Sequence, residues 1–542
     1  MAPDRGLAAG PAASQRGRPE HAEENGSSAP LRESGPVQDM RERAETIRSE
    51  MGGRSRVEAL HAAGQLTVRD RLAGLLDAGS FREVGTFAHS ERPADAPVTP
   101  GDGKIGGWGA IDGRPVVAAG DDVTVKHASS AAVGGRKLKR LFESALHDGM
   151  PFIFFGQTGG ARIPDMMGSA GFAGIGPLAY PALRRRRMPM VTVIVGDSFG
   201  ASSFLAALSD LVIQVAGSCL AVSSPRVIEV ATGDVVSMEE LGGVDVHARR
   251  TGQIDLAADD DAASWALVRR FLSYLPSNNG HPPPRSAPAG PDASIDITAV
   301  VPAGRRQGYD MRRLLRGLVD EGSLLELKPL FARSLITALA RIDGWPVGVL
   351  ASQPMQQAGI LTPEACDKAT RLVCLCDAFG LPLVFLHDTP GFMIGRQVEH
   401  NRLLNRAMLM QQAVVMAGVP RLSVIVRKSF GLANHAMSGI GLGSDLLVAW
   451  PGAEISFMDP DAAANVLSPA TAAAGDDGAR EATALRVALD PSPYGAAGTM
   501  HVDEIIEPAS TRAVLAEALA RAALRPFVSG SERPLSAWPI AF

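Results

Sequence analysis

The sequence predicts an α/β protein built from two tandem copies of one domain, each with mostly parallel strands. Three observations carry this. First, the chain repeats itself at a constant offset of 231 residues. Val193-Ile194-Val195 followed by Ser198-Phe199-Gly200 returns as Val424-Ile425-Val426 followed by Ser429-Phe430-Gly431. Pro151 pairs with Pro382, Thr158 with Thr389, Gly160 with Gly391, and Ile111-Asp112-Gly113 with Ile342-Asp343-Gly344. Farther out, Gly79-Ser80 answers to Gly322-Ser323 in a slipped register, as loop insertions cause. Solenoid and propeller units repeat every ~20–50 residues, so this longer period marks two whole domains. Second, short apolar runs bounded by Gly or Pro alternate with helical patterns in each half, as expected for strand–turn–helix units in series. Third, a run of breakers from Pro276 to Arg285 separates the halves.

Taken in order, residues 1–40 read as a disordered tail, rich in Gly, Ala, Pro, Ser and charge with almost no large apolar side chain to bury. The first domain spans 41–275. It opens with a charged helical stretch from Arg41 to Leu76 carrying Leu60, Leu66, Leu72 and Leu75 at roughly helical spacing. Phe152 to Phe155 and Val191 to Val195 read as buried strands. Residues 276–294 form the linker, with three consecutive prolines. The second domain spans 295–542, with strands at Leu383 to Leu386 and Leu422 to Val426 and helices at Ala365 to Phe379 and Arg402 to Ala417.

Composition narrows the function classes. A 542-residue chain with 46% hydrophobic and 20% charged residues is an ordinary soluble globular composition. The formal charge of −5 gives no basic excess to meet nucleic-acid phosphates. Cys219, Cys366, Cys374 and Cys376 lack the spacing of a disulfide framework, and Cys374 and Cys376 sit in an apolar run that reads as core and not as a metal site. No apolar stretch is long enough to span a membrane and no secretory signal opens the chain, so a cytoplasmic location is expected.

The chemistry lies in glycine-rich turns after apolar strands. Gly156-Gln157-Thr158-Gly159-Gly160-Ala161-Arg162 follows one strand, and Gly196-Asp197-Ser198-Phe199-Gly200-Ala201-Ser202-Ser203 follows the next and opens a helix. The second half repeats both as Asp388-Thr389-Pro390-Gly391-Phe392 and Ser429-Phe430-Gly431-Leu432-Ala433-Asn434. Backbone N–H groups in such turns hold anions and oxyanions; taken singly, a Gly pair is equally a plain tight turn. Neither half shows a nucleophile elbow, zinc signature or P-loop, and histidines are scattered. Chemistry run by amides fits a thioester whose enolate oxygen must be stabilised.

These motifs, in this order, resemble the carboxyltransferase (β) subunits of biotin-dependent acyl-CoA carboxylases of the propionyl-CoA and methylcrotonyl-CoA type. The markers are Gly79-Ser80-Phe81, Gly159 to Ile163, Glu240-Leu241-Gly242-Gly243, Tyr274-Leu275-Pro276, Asp388 to Phe392, Arg427-Lys428 and Ala453-Glu454-Ile455. The resemblance runs from about Arg54 to the C-terminus and implies two tandem crotonase-like domains, each a ββα spiral. It implies that the first binds an acyl-CoA thioester and the second carboxybiotin, brought by a separate biotin carboxylase and biotin-carrier α subunit. It places the thioester oxyanion hole at Gly200 and Ala201 and the biotin-side hole at Leu432 and Ala433. Gly159, Gly160, Ala161, Arg162, Lys126, His127 and His435 are the implied substrate-binding positions, with no metal, and a homohexamer is the implied assembly.

The chain also departs from that pattern. Gly200-Ala201 and Gly431-Leu432 stand where the family has paired glycines, Lys126-His127 where it has a Gly pair, and Met458-Asp459 where it has Met-Gly. His435 sits at a position that influences acyl choice in relatives. Arg184 to Arg187 read either as a contact for CoA phosphates or as a solvated helix end. Two alternatives share the same site: an acyl-CoA decarboxylase, linked to biotin or independent of it, and a non-catalytic homologue.

Overall fold

In the computed structural model, residues 35–174, 180–467, 475, 477–479 and 491–538 are described. Residues 1–34 of the expected tail lie outside them, while 35–40, its last six residues, already belong to the helix Gly35–Glu50. By contacts the chain divides into Met1–Thr46 and Ile47–Phe542. Everything below concerns the second unit. The charged stretch before Leu76 continues as two further helices, Arg54–Ala62 and Val68–Leu75, the latter started by a reciprocal Thr67–Asp70 capping box.

The fold is α/β, with two sheets related by the sequence repeat. Strands Lys104–Ile111, Arg114–Asp121, Phe152–Thr158 and Met190–Phe199 recur as Leu335–Ile342, Trp345–Ser352, Leu383–Thr389 and Arg421–Phe430. In each half the first two of these four form an antiparallel hairpin, the other two add in parallel, and a short earlier strand (Arg82–Glu83 or Leu325–Leu327) pairs antiparallel at the edge. The long helix between the second and third strands, Ala132–Asp148, recurs as Pro363–Phe379. Even the irregularities repeat: the pairing of the third and fourth strands slips between Gly156 and Thr158, and again between His387 and Thr389. The hairpin turns are closed alike, since Asp77 accepts from the Asp112 and Gly113 amides and Asp320 from those of Asp343 and Gly344. The slipped pair Gly79-Ser80 and Gly322-Ser323 thus follows two equivalent turn-closing carboxylates.

The two sheets share one apolar core. Leu211, Ile213 and Phe271 of the first half and Leu335, Phe379 and Phe385 of the second belong to the same buried cluster. Burying apolar area at ~25 cal/mol per Å² is what holds such a seam. The segment 276–294 is fastened along its course. Ser277 Oγ accepts from Arg114 Nε at 2.8 Å, and buried Asn279 donates its N–H to the Arg187 carbonyl and accepts from Gly530 N–H. The four cysteines are buried and unbridged, as core residues are.

Candidate active site

In the first half two turns converge. Beyond the strand Phe152–Thr158, Ser130 N–H donates to the Gly160 carbonyl at 2.8 Å and Arg162 N–H returns to the Ser130 carbonyl at 2.9 Å. This bridge leaves the Ala161 N–H between them without a partner among the described residues. Beyond the strand Met190–Phe199, Gly200 takes φ 64, ψ −121 and starts the helix Ala201–Ala207. That conformation belongs almost to glycine alone, and it is needed to turn a strand sharply into a helix. A Cβ built on Gly200 would lie 3.9 Å from the Gly160 Cα, so the two turns touch.

The donors differ in availability. Gly200 N–H is spent on the Val222 carbonyl at 3.2 Å, so Gly200 shapes the turn and does not supply a free donor as the sequence suggested. Ala201 N–H, the first amide of the helix, has no partner among the described residues, as helix geometry requires of its first amides. Gly159 N–H is likewise occupied, by the His127 carbonyl at 3.0 Å, and Gly160 N–H by Thr158 Oγ1 at 3.2 Å. Of the four residues in that run, Ala161 keeps its amide open.

Beneath these turns lies a charged support that sequence reasoning missed. Buried Asp121 is ion-paired with Lys104 and accepts from Ser202 Oγ at 2.6 Å and from Gln157 N–H at 3.0 Å. One carboxylate therefore anchors the start of the helix and the end of the neighbouring strand. No sequence signal pointed to it, because Lys104 and Asp121 lie at the ends of strands and meet only in the hairpin.

The second half repeats the backbone and changes the support. Leu361 N–H donates to the Gly391 carbonyl at 3.0 Å and Met393 N–H to the Leu361 carbonyl at 2.9 Å. Gly431 takes φ 57, ψ −149 and gives its N–H to the Ser456 carbonyl at 2.9 Å. Leu432 and Ala433 N–H then open the helix Leu432–Ala436 with no partner among the described residues. Ser352 and Leu335 replace Asp121 and Lys104. Here Ser429 Oγ bonds His387 Nδ1 at 2.9 Å and Asn434 Nδ2 at 2.8 Å, a neutral network. Burial holds the His387 imidazole down to about 4, so it stays uncharged. Burial raises the nearby Asp388 carboxyl, which Arg427 opposes from 3.0 Å.

The remaining sequence candidates separate into two groups. Arg162 is 4% exposed, and its guanidinium is committed to Asp102 at 2.6 Å and the Ser129 carbonyl at 3.1 Å. It pins the turn from within, with its guanidinium turned to protein partners. Lys126 is ion-paired with Asp95, and His127 is exposed beside Gly159. His435 is half-buried and Leu432 is 43% exposed, both at the second turn. Arg184 and Arg186 are buried against Asp210, and Arg186 also holds the Leu535 and Trp538 carbonyls. Neither is a solvated helix end nor free for phosphate, while Arg185 and Arg187 between and after them are exposed. Among the described residues no cluster of His, Cys, Asp and Glu could hold a metal ion, and no helix is long and apolar enough to cross a membrane.

Two crotonase-like halves, each presenting open amides at a strand-to-helix turn, have the fold and donor arrangement of an enzyme of acyl-group chemistry. The chain belongs to the carboxyl transferase domain family, whose sequence model matches residues 59–529. It is 36% identical to the methylmalonyl-CoA carboxyltransferase 12S subunit of Propionibacterium freudenreichii subsp. shermanii, over 90% of this chain and 94% of that one. It is also 36% identical to a propionyl-CoA carboxylase beta chain of Saccharopolyspora erythraea, over 86% and 89%. A crystal structure of transcarboxylase 12S, a hexamer with methylmalonyl-CoA bound, superposes with a TM-score of 0.85 at 35% identity and covers 92% of this chain and 98% of that one. The protein is a biotin-dependent acyl-CoA carboxyltransferase.

Proposed function

We propose that this chain moves a carboxyl group between a carrier-borne biotin and the α-carbon of a short acyl-CoA of the propionyl-CoA and methylmalonyl-CoA type. In this reading residues 41–275 hold the acyl-CoA and residues 295–542 the biotin. Ala161 and Ala201 N–H receive the thioester oxygen, whose charge grows as the enolate forms, and Leu432 and Ala433 N–H receive the ureido oxygen. The single observation that carries it is the repetition, in both halves, of a free helix-first amide at a turn whose glycine N–H is already occupied. Donors fixed before reaction cost no reorganisation when charge develops, and removing one such donor typically costs ~10²–10³ in kcat.

The second turn suits a biotin bicycle. Its open amides are flanked by exposed apolar side chains, with Leu432 at 43% and Phe457 at 82% exposure. A bicycle with an apolar thiophane ring and one ureido carbonyl matches that surface. Carboxybiotin supplies the carboxyl unit and, once freed of it, a basic nitrogen; this chain supplies the amides, the orientation and the exclusion of water. Ile163 and Ile394, 231 residues apart, are both exposed beside their turns. This supports a homo-oligomer, a hexamer as in transcarboxylase 12S, in which the first half of one copy closes over the second half of another. The partner is a separate biotin carrier with its biotin carboxylase, and the setting is the cytoplasm.

The test is the reverse reaction. Purified protein receives free biotin and, in turn, malonyl-, methylmalonyl-, ethylmalonyl- and methylglutaconyl-CoA, and loss of the carboxyl group is followed by mass spectrometry. Biotin-dependent loss from methylmalonyl-CoA is expected. Loss that ignores biotin would make the protein a decarboxylase, and thioester binding without loss would make it a non-catalytic homologue.

A further inference from the structure

We propose that Arg305 is the positioning residue of the second turn, clamping the short strand Glu454–Ser456 between its first residue and Asp459, three residues past its end, so that the Leu432 and Ala433 amides point at their ligand. The inference rests on the biotin-side reading above. Three connected observations lead to it. The turn is templated by that strand: Glu454, Ile455 and Ser456 pair with Lys428, Ser429 and Phe430, and the Ser456 carbonyl takes the Gly431 N–H at 2.9 Å. A three-residue strand has few bonds of its own. One guanidinium brackets it, with Arg305 Nε on Glu454 Oε2 at 2.7 Å and Nη2 on Asp459 Oδ2, three residues past the strand, at 2.8 Å.

The segment that carries Arg305 is itself tied to the catalytic strand. Arg427 Nη1 donates to the Gln307 carbonyl at 2.9 Å and the Gly304 carbonyl at 3.3 Å while its Nε holds Asp388 at 3.0 Å. The path therefore runs from Asp388 through Arg427 and the 304–307 backbone to Arg305, then to the strand and to Gly431. A cavity of about 320 Å³ lies along it, lined by Val301, Arg305, Val426, Arg427, Trp450 and Glu454. On its other side the strand is tied by the Ile455 N–H to the Pro491 carbonyl at 2.7 Å, and the ion pairs add a hold on the side of the cavity. The first half does this differently: its equivalent strand, Leu220–Ala221, is held by neutral bonds, with the Leu220 carbonyl on His247 Nε2 at 2.7 Å. Asp459 is the second jaw of the clamp.

The test compares the full-length protein with Arg305→Ala, Arg305→Lys and Asp459→Asn. Turnover of methylmalonyl-CoA with free biotin should fall roughly 10–100-fold in kcat for Arg305→Ala, since a displacement of about 1 Å at a reacting group costs about that much. KM for the thioester should stay within about twofold. Arg305→Lys should recover only part, because an ammonium cannot grip two carboxylates as a planar fork does, and Asp459→Asn should fall between. Hydrogen exchange read by mass spectrometry should quicken in residues 428–436 and 454–459 and nowhere else. Unchanged kcat would overturn the proposal, as would a global loss of protection with kcat and KM shifting together. If the wild-type protein turns over no thioester, the functional reading falls, and exchange alone judges the clamp: equal protection of 428–436 in wild type and Arg305→Ala would overturn it.

Discussion

Lys137 and Lys368, 231 residues apart, make the same bond: each buried ammonium donates to the carbonyl at the start of its own half's first long strand, Lys104 and Leu335, at 2.7 Å in both cases. Each also reaches a second carbonyl, Gly85 or Phe331. The long helix of each half is thus riveted to its sheet by one lysine, a role that survived the duplication while Lys104 and Leu335 themselves diverged.

Removing either rivet should cost stability and not catalysis. Lys368→Met strands two carbonyls and is expected to cost about 1–3 kcal/mol by urea unfolding at pH 9. Burial pushes the Lys368 ammonium down to about 7, and Lys137 to about 8, below the 10.5 of a free lysine. The unfolded chain therefore holds these protons longer as pH rises, so the wild type should gain on the variant between pH 7 and 10. A gap that shrinks over that range would contradict the assignment.

His387 sets an acid limit. Its imidazole is held at about 4 against 6.5 in the unfolded chain, so its contribution to stability is complete above pH 6.5 and is lost as pH falls toward 4. The difference amounts to about 3 kcal/mol. His387→Gln should flatten the fall of the melting temperature between pH 6.5 and 4, measured by scanning calorimetry.

Arg162 separates binding from support. Its loss leaves Asp102 buried without its partner, and breaking such a pair costs about 3–5 kcal/mol. Arg162→Met should unfold at markedly lower urea, yet protein that remains folded should bind CoA thioester with an affinity within about threefold of wild type by calorimetry. A large loss of affinity in the folded variant would restore Arg162 as a ligand contact.

The two turn glycines should differ in tolerance. A Cβ at Gly431 would come within 2.9 Å of the Phe457 carbonyl, whereas one at Gly200 meets nothing closer than the Gly160 Cα at 3.9 Å. Both substitutions carry backbone strain of about 1–3 kcal/mol. Gly431→Ala should therefore lose more biotin-dependent turnover than Gly200→Ala, compared at saturating thioester.

Much of the architecture was legible in the chain. The offset of 231 located the strand pairs and both strand-to-helix turns, because a duplicated backbone must bury the same apolar runs and turn at the same glycines. The paired lysines were equally open to that reading, since Lys137 and Lys368 stand at the same offset. Asp121 was not: a carboxylate at a strand end signals nothing until Lys104, Gln157 and Ser202 are brought around it.

By itself, then, the sequence determined the fold class, the duplication and the turns that carry the open amides, all consequences of local periodicity and of glycine's freedom at φ > 0. The tertiary structure decided which amides are open. Whether Gly200 or Ala201 is the free donor depends on Val222, and whether Arg162 is a binding or a buried residue depends on Asp102, sixty residues earlier in the chain. Hydrogen-bond commitment and burial are properties of neighbours in space, and local sequence does not encode who those neighbours are.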